Sequence, residues 1–174
     1  MRTLVTLLVL ALAGMSPNDA LKVPFSLAVV ATFGSAEGGA IEMAQNKPRD
    51  FYVVLTNVSG ESQAIWDSSN SWGYRAVSLE ITTADGRTFV ASRREEDFTR
   101  NGPSTFSVAP GEHQVFAIRL DKWWETRPSL PKADEMPIKL KAIYEVSLTP
   151  EAAKQKVWTG RSESRSYNLT LRQW

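Results

Sequence analysis

Aromatic side chains are the residues of this sequence whose types and spacing most clearly suggest a chemistry. The chain contains six tryptophans, and Trp66, Trp72 and Tyr74 flank the polar turn 67–71. Aromatic rings around a turn can form a platform for a sugar ring or a peptide, because they present a large apolar area at little cost in conformational entropy. The alternative is structural: one tryptophan fills the core while Tyr74 pairs across strands.

Trp123 and Trp124 are adjacent in sequence, which constrains where they can lie. If the strand that begins at Val115 continues to them, their side chains point to opposite faces, so both cannot enter one core. One ring is then exposed to solvent, covered by the proline-rich segment 127–137, or in contact with a partner. The candidate ligand-binding residues are therefore Trp66, Trp72, Tyr74, Trp123 and Trp124.

His113 is the single histidine of the chain. A Ser-His-Asp site needs a serine in a strained turn, and the sequence contains no Gly-x-Ser-x-Gly motif. Since His113 follows a Pro-Gly-Glu turn, we expect a surface residue and predict no catalytic residue. Paired carboxylates for glycoside hydrolysis are not excluded by the sequence, because their separation is a three-dimensional quantity.

Three consecutive acidic residues, Glu95, Glu96 and Asp97, follow Arg93 and Arg94. Carboxylates could supply oxygen ligands to Ca²⁺, which takes roughly 6–8 of them. The spacing matches no calcium loop, and the two arginines can neutralise the charge, so a solvated loop is the better interpretation. No glycine-rich phosphate loop is present either. We expect no metal and no cofactor.

Composition limits the remaining classes of function. The chain has 174 residues, of which 43% are hydrophobic, and a net charge of +1. Such a length favours one domain. The balanced charge provides no basic excess for a phosphate backbone, so we expect no nucleic-acid partner. The absence of cysteine excludes thiolate catalysis, cysteine-ligated zinc, iron–sulfur clusters and disulfides.

The first 20 residues have the features of a secretory signal peptide. Arg2 precedes an apolar run that ends with Ala11 and Ala13, which fits cleavage after Ala13, while a cut after Ala20 is the alternative. The run is too short to span a membrane, which takes about 20 residues. We predict an exported protein, periplasmic or secreted, with residues 21–174 as a single domain. The competing interpretation is a buried N-terminal strand or helix.

Strand patterns dominate the rest of the sequence. Apolar residues recur at every second position in segments that begin near Val23, Phe51, Ala76, Thr88, Phe106, Val115, Ile138 and Tyr167. Asp85-Gly86 predicts a tight hairpin, and Thr149-Pro150 predicts the start of a short helix. The longest alternation runs from Ile138 to Leu148. These features predict an all-β, immunoglobulin-like antiparallel β-sandwich of about seven to nine strands.

Several short motifs follow one another between Leu55 and Val146. They are Leu55-Thr56-Asn57-Val58-Ser59, Gly73-Tyr74 opening a strand, Asp85-Gly86, Asp97-Phe98-Thr99, Ala109-Pro110-Gly111-Glu112 and Ala142-Ile143-Tyr144-Glu145-Val146. Their order resembles a bacterial immunoglobulin-like family, the intracellular proteinase inhibitor domain, over somewhat more than half of the chain. The resemblance implies an immunoglobulin-like fold and proteinase inhibition. No inhibitory residue can be matched position by position, and the tryptophan-containing segments depart from the family.

Together these observations lead to one expectation and two alternatives. We expect an exported, non-enzymatic immunoglobulin-like module that recognises a protein or a carbohydrate through aromatic-rich loops. The first alternative is a proteinase inhibitor, which follows from the resemblance. The second is a small hydrolase that uses carboxylates and His113.

Overall fold

The structure is a computed structural model that describes residues 23–34, 37–43, 49–99 and 101–173. The predicted signal peptide therefore lies outside the described residues. The described elements are β1 (Phe25–Val30), β2 (Ala40–Met43), β3 (Phe51–Asn57), β4 (Gln63–Trp66), β5 (Val77–Thr83), β6 (Thr88–Arg93), β7 (Thr105–Val108), β8 (His113–Ile118), β9 (Trp124–Arg127), β10 (Glu135–Val146), α1 (Pro150–Lys154), β11 (Gly160–Glu163) and β12 (Tyr167–Gln173). Within these ranges, no helix has the length and apolar character needed to cross a membrane.

The strands form three sheets. A three-stranded sheet has the order β1-β3-β8, and a larger sheet has the order β2-β12-β10-β5-β6-β9, with β11 also paired to β10. β4 and β7 form a separate two-stranded ribbon. The all-β prediction is thus confirmed. Two details of it are wrong, since the described residues contain twelve strands and β2 runs parallel to β12. Several of the additional strands are only four residues long, too short for a clear alternation.

One core lies between the three-stranded sheet and the larger sheet. Along β1 and β3 every second residue is buried, and the buried residues of β10 continue the same layer. Phe25 of β1 and Phe116 of β8 both contact the ring of Tyr144 in β10. The inward residues of the two sheets therefore meet in a single apolar layer, and alternate residues are left on the outer faces.

Three local predictions are confirmed. Gly86 has a positive φ of 84° and turns the chain between β5 and β6. Thr149 caps α1, because its hydroxyl accepts a hydrogen bond from the Ala152 N–H, and Pro150 is the first helical residue. Pro24 indicates an edge strand from the sequence, because proline cannot donate to a ladder, and β1, which begins at the next residue, is an edge strand of its sheet.

Asn57 fixes the corner at which β3 ends. Its buried side-chain amide donates to the carbonyls of Glu61, at 2.7 Å, and Val108, at 2.8 Å, while its oxygen accepts from the N–H and hydroxyl of Ser59. The Asn57 N–H donates to the carbonyl of Glu112, just before β8. The Asn57 side chain therefore ties the ends of β3 and β7 together, and the Asn57 backbone N–H bonds to the residue just before β8.

Tyr144 lies at the centre of an aromatic cluster. Its ring stacks on Phe116, with centroids 5.8 Å apart, and on Trp158, at 6.0 Å. The hydroxyl group is buried and has no hydrogen-bond partner among the described residues. Burial raises the pKa of Tyr144, so the hydroxyl stays neutral. The ring contributes packing, and the hydroxyl carries an uncompensated desolvation cost.

The Tyr144 hydroxyl gives the first testable prediction. Tyr144→Phe removes a buried polar group that has no partner, so the free energy of unfolding is expected to stay the same or to rise, by up to about 1–3 kcal/mol. Tyr144→Ala removes the ring as well and is expected to cost about 3–5 kcal/mol. Urea denaturation of the two variants measures both values. A clear loss of stability in Tyr144→Phe would mean that the hydroxyl has a bonding partner.

Candidate ligand-binding surface

Trp66 is a core residue. It is the last residue of β4, is 2% exposed, and stacks on Trp72 with ring centroids 5.6 Å apart. Trp72 is half-buried and packs against the same core. The two rings thus cover each other and the core, which is the structural alternative to a binding platform.

Asn70 organises the turn between these two tryptophans. Its side-chain oxygen accepts from the N–H groups of Trp72, at 3.0 Å, and Gly73, at 2.9 Å, and its amide donates to the carbonyl of Ser104. The backbone N–H of Ser69 donates to Asp67, and this bond lowers the pKa of the Asp67 carboxyl group. The turn is therefore held against the segment that precedes β7.

Gly73 has no room for a side chain. A Cβ atom at this position would lie 2.2 Å from the Asp67 carbonyl oxygen. Gly73→Ala must therefore displace the turn, and we expect a loss of about 1–3 kcal/mol in the free energy of unfolding. Gly102→Ala is the matched control, since a Cβ there meets nothing within 4 Å. Equal stability of the two variants in thermal denaturation would contradict the described turn.

Tyr74 does not open a strand, because β5 begins three residues later at Val77. It lies in the turn, where its ring meets Phe98 edge to face at 5.3 Å. The guanidinium of Arg93 lies 4.8 Å from the centroid of the Tyr74 ring and 5.8 Å from that of Trp124. Arg93 is thus held by two aromatic rings.

Trp123 and Trp124 have opposite environments, as predicted. Trp124 is 5% exposed and Trp123 is 50% exposed. The strand that begins near Val115 does not continue to these residues, because β8 ends at Ile118 and a turn leads to Trp123 and Trp124. That part of the prediction was wrong. The N–H of Trp123 donates to Asp121 at 2.9 Å, and the ammonium of Lys122 lies 5.0 Å from the ring centroid. Trp123 is therefore a positioned aromatic ring with half of its surface in solvent.

A cavity of 270 Å³ lies beside this ring. Its walls are formed by the end of β8, the end of β6 and the start of β9, and its lining includes Asp50, Arg93, Ala117, Arg119, Trp123 and Trp124. Arg119 forms a bidentate pair with Asp50, at 2.7 and 3.2 Å, and this pair raises the pKa of Arg119. The cavity combines an aromatic wall, a neutralised ion pair and the guanidinium of Arg93.

The outer face of the three-stranded sheet adjoins the cavity. We define the outer sheet face as Val30, Tyr52, Val54, Val115 and Ala117, which alternate with the buried residues of β1, β3 and β8. Val30, Tyr52 and Val115 are exposed although they are large and apolar. These residues were not among the sequence-based candidates. The apolar residues on both faces of β3 were the feature of the sequence that could have indicated an exposed apolar surface.

In the described ranges, the other candidate residues do not assemble into a site. The Nδ1 atom of His113 is hydrogen-bonded to the Thr56 hydroxyl at 2.8 Å, in an exposed position on β8. Glu95, of the acidic segment, pairs with Arg75 at 3.1 Å. Within the described part of the chain, no three histidine, aspartate or glutamate side chains are grouped so that they could hold a metal ion.

Comparison with known proteins adds no assignment to this geometry. No protein-family model matches the chain, and a search of curated proteins finds no matching sequence. The candidate site is therefore defined by its own residues: Trp123, Arg93 and the cavity between them. Of the five sequence-based candidates, Trp66 and Trp124 are buried, Trp72 and Tyr74 are half-buried, and Trp123 is exposed.

The two adjacent tryptophans give a paired prediction. Trp124→Ala empties part of the core and is expected to lower the free energy of unfolding by about 3–5 kcal/mol. Trp123→Ala removes a half-exposed ring and is expected to change it by about 0.5 kcal/mol or less. Guanidinium denaturation of both variants measures the difference. A larger loss of stability in Trp123→Ala than in Trp124→Ala would place Trp123 inside the core and remove it from the candidate site.

Proposed function

We propose that this chain is a non-enzymatic binding module that recognises a protein through a surface centred on Trp123. The observation that carries the proposal is the half-exposed Trp123 ring beside a cavity that also contains the aromatic-held Arg93. Tryptophan and arginine are the residues that most often dominate protein interfaces. The apolar outer sheet face continues this surface, and such patches are typical of protein interaction sites. A carbohydrate ligand is the competing candidate, because an exposed tryptophan also stacks on sugar rings.

We further propose that the fold is an immunoglobulin-like sandwich. The order β1-β3-β8 opposite β12-β10-β5-β6 supports this, since it corresponds to strands A-B-E opposite G-F-C-C′ of that fold. β2, β9 and the β4–β7 ribbon are additions to that arrangement. Many domains of this class act as binding modules, which agrees with the proposed function by analogy of fold alone.

Export remains part of the proposal. It rests on residues 1–20, whose charged start, apolar run and Ala-x-Ala end are typical of a signal peptide. A chain without cysteine is compatible with an oxidising compartment. Mass spectrometry of the protein recovered from an expressing bacterium would test this: a mature N-terminus after Ala13 or Ala20 is expected, and an intact N-terminus contradicts export.

Proteinase inhibition is retained as an alternative because of the motif order. The residues that carry the resemblance have structural roles. The Asn57 N–H donates to the carbonyl of Glu112 in the Pro-Gly-Glu motif, and the Tyr74 ring packs on Phe98 of the Asp-Phe-Thr motif. Such contacts favour a shared fold over a shared inhibitory site. Inhibition of any member of a panel of secreted and periplasmic proteinases would support this alternative, and no inhibition would remove it.

A hydrolase that uses carboxylates and His113 is the second alternative. His113 is exposed and bonded to a threonine hydroxyl, which does not orient an imidazole as a carboxylate does. A broad hydrolase screen of the protein and of His113→Ala would test it. Activity that is lost in the variant would overturn the non-enzymatic proposal.

Tryptophan fluorescence tests the proposed function directly. Titration with a pool of random peptides is expected to change the emission, since a bound partner desolvates the Trp123 ring, and Trp123→Ala is expected to abolish the change. Leu148→Ala is the matched control, because Leu148 is also exposed but lies at the start of the turn before α1. A response to oligosaccharides alone would assign a carbohydrate ligand instead. A response that survives Trp123→Ala would move the site elsewhere.

A further inference from the structure

The three-stranded sheet has one covered edge and one open edge. At the β1 edge, the hydroxyl of Ser162 in β11 donates to the carbonyl of Phe25 at 2.9 Å. At the other edge, β8 pairs with β3 and, within the described residues, with no further strand. β7 precedes β8 by a short turn, but it pairs with β4 instead. β8 therefore keeps a free edge.

Two hydrogen bonds show which backbone groups of β8 face this edge. The Val58 N–H donates to Pro24 beside β1, whereas the Asn57 N–H donates to Glu112 beside β8. Because an antiparallel ladder alternates, Leu55 and Val53 then bond to Gln114 and Phe116. The backbone groups of His113, Val115 and Ala117 consequently point to the free edge. The side chain of Gln114 makes one bond there, at 3.4 Å, to the carbonyl of Val115.

The 270 Å³ cavity lies at the end of this same edge, since Ala117 of β8 lines it together with Arg93 of β6 and Trp124 of β9. A strand added to β8 would direct alternate side chains to the two sides of the sheet. One set would lie beside Val115 on the outer sheet face, which is 51% exposed at that residue. The other set would point towards the larger sheet, where Arg93 of β6 and Trp124 of β9 line the cavity.

The positive charge of Arg93 favours a negatively charged group in the cavity. Neighbouring arginines are paired with carboxylates: Arg119 with Asp50, Arg94 with Glu125 and Arg75 with Glu95. Arg93 has no carboxylate within 4.0 Å among the described residues and is held between the rings of Tyr74 and Trp124. A guanidinium positioned in this way is complementary to a carboxylate of a partner.

We propose that the free edge of β8 binds an extended segment of a partner protein as a fourth strand, and that an aspartate or glutamate side chain of this segment pairs with Arg93. The proposal rests on the proposed function and specifies its partner. Backbone hydrogen bonds to Val115 and Ala117 supply affinity without regard to sequence, as in other cases of strand addition. The Trp123 ring and Arg93 select the side chains on one face of the segment.

Selection from a random peptide library displayed on phage tests this inference. Short peptides are selected on the purified protein and then synthesised. We expect apolar residues at alternate positions with one acidic residue between them. Replacement of that acidic residue by its amide is expected to weaken binding by about tenfold or more. Methylation of alternate peptide nitrogens is expected to abolish binding, because it removes the ladder donors.

Protein variants provide the second arm. Val115→Pro removes an N–H that faces the free edge and makes no bond within the sheet. We therefore expect this variant to fold but not to bind the peptide. Val115→Ala keeps the N–H and is the matched control. Arg93→Gln is expected to weaken binding by about tenfold or more, and Arg87→Gln, on the β5–β6 hairpin, is expected to have no effect. If Val115→Pro does not fold, the methylated peptides still test whether binding depends on backbone hydrogen bonds to the β8 edge.

Several outcomes would overturn the inference. Selection of no peptide, or of peptides whose binding survives both Val115→Pro and backbone methylation, removes the added strand. Binding that is unaffected by Arg93→Gln removes the acidic side chain. A dimer in light scattering that Val115→Pro dissociates assigns the edge to a second copy of the chain. Peptides that need Trp123 but neither Val115 nor Arg93 overturn the inference and leave the proposed function standing.

Discussion

Successive side chains of a β-strand point to opposite faces, and the arrangement of this molecule depends on that alternation. Phe51, Val53 and Leu55 of β3 enter the core, so Tyr52 and Val54 lie on the outer sheet face. Trp124 is the first residue of β9 and is buried, whereas Trp123 lies in the turn before that strand and is half-exposed. The apolar layer between the sheets therefore determines which aromatic and aliphatic side chains remain available to a partner.

Backbone hydrogen bonds alternate in the same way, and this has a consequence for the edges of the small sheet. β7 is drawn into a ribbon with β4, and Asn57 fixes the end of β7 through the carbonyl of Val108. Among the strands that the structure describes, β8 is then left with one paired edge and one open edge. An open edge is a site for a further strand, and here it adjoins an aromatic wall and the guanidinium of Arg93.

Local patterns predicted the local features of the structure. The alternation from Ile138 to Val146 matches the burial along β10, whereas Leu148 is exposed because β10 ends before it and the chain turns into α1. The parallel pairing of β2 with β12 joins segments far apart in sequence, so no local pattern contains it. The position of Arg93 between two rings was also unpredictable, since Tyr74 and Trp124 come from separate segments of the chain. The sequence indicated which residue types could form a site, and their juxtaposition required the fold.

The structure leaves β8 with a free edge, and amide hydrogen exchange followed by nuclear magnetic resonance can detect that edge in solution. Gln114 and Phe116, whose N–H groups bond to β3, are predicted to exchange slowly, while Val115 and Ala117 exchange quickly. This alternation with a period of two is the signature of an edge strand with one side open. Uniform protection of all four amides would show that another segment already occupies the edge, and β8 would then have no free edge to which a strand could be added.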